Sequence, residues 1–173
     1  MKSVGLLLSS MYLIVVAAIS GCSPRVNQKD FESLYRSGKA ISSAAEVGVN
    51  YSSFSTLVQE LAREISIAND RASNPVEKDM AKKYQEALTS YQDSLTVWKN
   101  SIDGASYDWI PNGEIYVEDE LKPLVTKYSL QTQPRSIEIT GHNFETISDS
   151  AIQRIWAKAD KSLEAATSIY TNK

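Results

Sequence analysis

Ser73-Asn74-Pro75-Val76-Glu77-Lys78-Asp79-Met80 is the stretch whose reading decides the fold. An asparagine side chain can accept from the free N–H groups that open a helix. Proline suits the first helical position, where its missing N–H is not needed. Glutamate three residues after the cap can return its carboxylate to the cap backbone. The three together predict a helix start at Pro75. Upstream, Tyr51, Phe54, Val58, Leu61, Ile65, Ala68 and Ala72 recur in steps of three and four, while Glu60, Arg63 and Glu64 fall off that stripe. Downstream, Met80, Tyr84, Ala87 with Leu88, Tyr91, Leu95, Trp98 and Ile102 repeat the pattern, with Gly104 as a stop. Two amphipathic helices joined this closely must be antiparallel neighbours.

Toward the N-terminus, Phe31, Leu34, Gly38, Ile41, Ala45 and Gly48 form a further heptad-like stripe. Its small members would let another backbone approach closely. Gly48 suits a helix end and Asn50 a new cap, so a break or kink is expected there. Toward the C-terminus, Ile152, Ile155 with Trp156, Ala159, Leu163, Ala166 and Ile169 with Tyr170 predict a last helix starting near Ser148 or Asp149. Residues 105–145 lack a sustained period. Trp109-Ile110-Pro111-Asn112-Gly113 signals a turn, 115–117 a brief extended piece, 118–128 a short helix limited or started by Pro123, and Pro134 and Gly141 loops. The predicted fold is mainly α: a bundle of three to four amphipathic helices with an irregular 105–145 segment packed across it.

The chemistry open to this chain is restricted. His142 is the one histidine, so a multi-histidine metal site within one chain is excluded, and it reads as a loop residue rather than a catalytic base. Glu118-Asp119-Glu120, with Glu114 and Asp108 nearby, is the densest acidic patch. Three consecutive residues point different ways, and the spacing does not fit a calcium loop, so an acidic first helical turn is expected instead. Tyr84, Tyr91 and Trp98 recur every seven residues; Tyr107, Trp109, Tyr116, Tyr128 and Trp156 lie elsewhere. An aromatic row of this kind either fills the core, with hydroxyls reaching the rim, or lines a ligand pocket. No phosphate-cradling glycine loop or dinucleotide fingerprint is present, and no cofactor is expected. The 18 basic and 21 acidic residues sum to a charge of −3, which offers no basic face to nucleic acid.

The first residues have a different character. Lys2 precedes the apolar run Val4–Ile19, which is short for a membrane span of roughly 20 residues and has the order of a secretory signal. It ends in Ile19-Ser20-Gly21-Cys22: an aliphatic residue, two small residues and the sequence's single cysteine. This tetrapeptide resembles the lipobox of bacterial lipoproteins. The resemblance covers residues 1–22. It implies diacylglyceryl transfer to the Cys22 thiol, cleavage after Gly21 and acylation of the new amino group. Two or more acyl chains suffice for stable anchoring. The resemblance also implies that Ser23, in place of aspartate, favours the outer membrane in a cell with two membranes.

The expected organisation is a signal peptide at 1–21, a lipidated tether at 22–29 and a single helical domain at 30–173. The expected partner is a membrane, through the lipid on Cys22. The expected function is a non-enzymatic interaction or structural subunit of the envelope, with a protein partner or a second copy of the chain meeting the small-residue stripe. The alternative is a lipid-tethered binding protein for a small molecule or peptide.

Overall fold

The computed structural model describes residues 24–172. The expected leader and the lipidation residue Cys22 lie outside the described residues. No helix among the described residues is long and apolar enough to cross a membrane.

The capping signal at Asn74 acts as its residue types require. Asn74 Oδ1 accepts from the N–H groups of Val76 and Glu77, at 2.9 and 3.0 Å. Glu77 completes the box by accepting from the Asn74 N–H. This fixes the start of α3 (Pro75–Gly104) directly after α2 (Tyr51–Arg71). The predicted stripe of α2 is the buried one: Phe54, Val58, Leu61, Ile65 and Ala68. On α3 the buried face is wider than predicted and includes Ala81, Ser90, Ser94 and Val97, whereas Ile102 is half exposed. The reason is that α3 is covered on several sides, by α2, by α5 and by β1.

The break at Gly48 is a chain reversal. α1 (Glu32–Val47) stops at Gly48, whose φ of 94° lies in the region that side chains avoid. Asn50 Oδ1 then caps α2 by accepting from Ser53 N–H at 2.9 Å. α1 folds back along α2, so that Arg71, at the end of α2, donates to the Asp30 carbonyl just before α1. α5 (Ala151–Thr171) buries the predicted residues from Ile152 to Tyr170 except Ile169, which is half-buried, and closes the ring against both α3 and α1. The four long helices thus make an up-down-up-down bundle around one continuous core.

The segment between α3 and α5 is more ordered than its sequence suggests. It contributes β1 (Glu114–Tyr116), α4 (Lys122–Tyr128), β2 (Thr132–Ser136) and β3 (Asn143–Ser148). The strands form an antiparallel sheet with β3 between β1 and β2. Pro134, expected in a loop, sits in β2, where an edge strand tolerates the missing N–H. Ile115, Val117 and Ile147 join the helical core. Three short strands of mixed polarity give no legible period; their pairing supplies the order.

Residues 25–30, expected as tether and first turn, lie against the end of the bundle. Val26 packs on the core. Asn27 N–H donates to Glu77 Oε1 at 3.2 Å, and Asn74 Nδ2 to the Arg25 carbonyl at 3.1 Å. Gln28 Nε2 donates to the Tyr170 carbonyl at 2.9 Å, and Tyr170 Oη returns a bond to the Gln28 carbonyl at 3.2 Å.

Candidate functional site

α1 and α5 pack less closely than the other helical neighbours and leave an open groove of about 760 Å³ between them. Small residues open it: Gly38 and Ala45 on α1 and Ala157 on α5. Trp156 and Leu163 supply its apolar wall, and the ring of Tyr84, from α3, reaches it from below. Gly38 is required by this arrangement, because a Cβ there would lie 2.6 Å from Tyr84 Cε1.

The polar side of the groove centres on Asp160, which is half-buried. Its Oδ1 accepts from Tyr91 Oη at 2.8 Å and from Ser42 Oγ at 3.2 Å, so three helices meet at one carboxylate. Burial pushes the Tyr91 phenol far up, and the hydrogen bond to Asp160 and its negative charge push it further. Tyr91 therefore stays a neutral donor. Trp156 Nε1 donates to Ser94 Oγ at 2.9 Å, and Ser94 Oγ to the Tyr91 carbonyl at 2.7 Å, which fixes the indole at the groove wall.

Tyr84 has no such relay. Its hydroxyl is buried and makes no hydrogen bond among the described residues. Burial pushes the phenol far up and the neighbouring Tyr35 acts the same way; the Thr167 hydroxyl, close by but outside hydrogen-bonding geometry, acts against it. Lys39, Glu46 and Glu164 line the groove beside Asp160, and none of the four is ion-paired among the described residues. Three carboxylates against one ammonium favour a ligand with positive charge.

The residues singled out in the sequence fall in several places. Tyr84 and Tyr91 are core residues, at 1% and 0% exposure, yet one touches the groove and the other holds its carboxylate. Trp98 packs edge-on to Trp156 and Tyr51 rather than lining the groove. His142 is exposed in the β2–β3 turn, its backbone N–H donating to Thr140 Oγ1. Glu118, Asp119 and Glu120 are exposed and precede α4 instead of forming its first turn, because the helix starts at Lys122 with Pro123 second. The side-chain hydrogen bond and the charge of Lys122 hold the Asp119 carboxyl below its usual range, and Glu120 accepts from Asn100. Glu114 is apart from them on the outer sheet face. It pairs with Arg135, accepts from Thr146, and is held low, first by the Arg135 hydrogen bond. No group of three or more metal-ligating side chains occurs among the described residues.

A second surface lies on that outer sheet face. Trp109 meets Tyr116 and Phe144 edge-on and stacks on Tyr107 with centroids 5.4 Å apart. Trp109 and Tyr107 remain 38% and 47% exposed, so part of this aromatic cluster is open to solvent.

Ser42, Asp160, Glu164 and Thr167 were not singled out in the sequence. Each is a polar residue at the margin of an apolar stripe, a position that elsewhere in the same helices is plain solvent surface. Comparison of the chain with protein-family models, with curated proteins and with solved structures finds no match.

Proposed function

We propose that this is a lipid-anchored protein of the bacterial envelope that works by binding rather than by catalysis, with the α1–α5 groove as its contact site. The observation that carries the reading is the groove itself: an apolar wall, a carboxylate shared by three helices, and a buried tyrosine hydroxyl without a partner. Such a mixture of apolar lining and few polar groups is what ligand sites present. The ligand class it favours is an apolar body carrying a cationic or hydrogen-bonding head. Gly38 supports this reading over self-association through α1, since its missing side chain makes room for Tyr84 of the same chain. The lipobox resemblance supports the anchor at Cys22 and, with Ser23, the outer membrane.

Filling the groove tests the reading. Ala45→Trp with Ala157→Trp should abolish complementation of a deletion strain while the protein stays folded, lipidated and at normal level. His142→Ala, and Glu118→Gln with Glu120→Gln, should complement fully. Tyr84→Phe should be neutral or raise stability by about 1 kcal/mol, because it removes an unsatisfied buried hydroxyl. Full complementation by the filled groove, or its loss in folded His142→Ala, would overturn the proposal. The second reading, an interaction subunit, is favoured by the exposed Tyr107–Trp109 stack. It predicts that Trp109→Ala, not groove filling, abolishes complementation.

A further inference from the structure

The way residues 25–30 are held fixes how the domain sits on its membrane. These residues form a strap across one pole of the bundle. The pole is made of the α2–α3 turn, the start of α1 and the end of α5. Two of these hold it: at the α2–α3 turn Asn74 and Glu77 hold Arg25 and Asn27 and Arg71 holds the Asp30 carbonyl, and at the α5 end Tyr170 exchanges two bonds with Gln28. Glu77 is 3% exposed and serves the strap and the α3 cap at once, so moving the strap would leave part of a buried carboxylate unpaired.

Cys22 stands three residues before Arg25. Three residues span at most about 11 Å even when fully extended. The strap therefore brings the attachment point close to this pole. At the other end, α3 is 30 residues long, or about 45 Å; α4 packs beside its far half through Asp93, Glu120 just before α4 reaches Asn100, and β1 packs on α3 ten residues after α3 ends at Gly104.

We infer that the pole formed by residues 25–30, the α2–α3 turn and the α5 end faces the lipid surface, and that the sheet with its aromatic cluster is held at the far end of the bundle. The inference rests on the proposed anchoring at Cys22. The partner of this pole is the bilayer that carries the anchor. Charge does not draw this pole to a lipid surface, since Arg25, Lys29, Arg71 and Lys78 are outnumbered by Asp30, Glu32, Asp70, Glu77 and Asp79. The short leash does, so the orientation is insensitive to salt. The α1–α5 groove runs along the bundle and opens sideways, with Thr167 toward the membrane and Gln153 away from it.

The test uses the full lipidated protein in vesicles of phosphatidylethanolamine and phosphatidylglycerol containing a nickel-chelating lipid. With Cys22 lipidated, an introduced cysteine is the free thiol for a spin label. Asp70→Cys and Asn172→Cys report on the pole, and Ile139→Cys, on a residue 96% exposed at the β2–β3 turn, reports on the far end. Relaxation enhancement by the headgroup nickel should be several-fold larger at 70 and 172 than at 139, at low and high salt alike. A flexible glycine–serine linker of about 20 residues between Ser23 and Pro24, whose r.m.s. span is about 25 Å, should erase most of that difference. Mass spectrometry of the N-terminal residue reads the anchor separately. Lipid on Cys22 with equal enhancement at all three sites would overturn the orientation alone. An unmodified Cys22 would overturn the anchor, and the orientation with it.

Discussion

Glu77 carries several roles that its position in a capping box only half announces. Burial pushes its carboxyl up, but bonds from the Ser73 backbone, the Asn27 backbone, the Ser73 hydroxyl and the Asn74 backbone outweigh this and hold it below the ordinary range. A carboxyl lowered on folding stabilises the fold above its unfolded value, about 4.3 for glutamate, and that contribution is lost as pH falls through the folded value. Glu77→Gln should therefore cost about 2 kcal/mol at neutral pH, because one acceptor oxygen becomes a donor facing donors. The gap should close in acid, where the wild-type carboxyl is protonated. Urea unfolding of both proteins from neutral pH downward checks this, and a gap that stays constant in acid would contradict it. The capping role was legible from Asn74-Pro75-Val76-Glu77. The bond from Asn27, 50 residues away in sequence, was not.

Among the elements, the α1–α2 reversal turns on Gly48. A Cβ added there would meet nothing within 4 Å, so Gly48→Ala isolates the backbone cost of φ +94°. That cost should be about 1–2 kcal/mol, seen as a lower denaturation midpoint with an unchanged slope. An alanine variant as stable as wild type would show that the turn relaxes freely. The helices were legible because their signals are local: a cap acts within four residues, and a stripe repeats every turn. Of the strands, only the brief extended piece expected at 115–117 was legible, and it lies within one residue of β1; β2, β3 and the pairing were not. β1 is three residues long and β2 contains proline, so neither has a period to read, and both depend on β3 for their hydrogen bonds. Ile102 misled for a related reason: the helical stripe continues past the point where α2 still covers it, and only the packing shows where coverage ends.

In the whole molecule, the sheet and the bundle share one core. Leu61 on α2 and Ile147 on β3 belong to the same buried cluster, at 0% and 1% exposure. Leu61→Asp and Ile147→Asp should each cost more than about 4 kcal/mol by burying an unpaired charge, a large part of a typical domain's stability. Both should abolish the cooperative melt of the helical signal in circular dichroism. Native helix content in Ile147→Asp would mean that the sheet is an appendage. The sequence by itself determined the helix starts at Asn50 and Asn74, the core faces of α2 and α5, the mainly helical class and the lipobox resemblance at Cys22, because each of these depends on residues within a few positions of one another. The tertiary structure alone decided the groove, the strap and the sheet. Asp160 meets Tyr91 and Ser42 across 69 and 118 residues, and Gln28 meets Tyr170 across 142. A polar residue beside an apolar stripe looks the same in sequence whether it faces water or another helix, and only the packing of distant segments distinguishes the two.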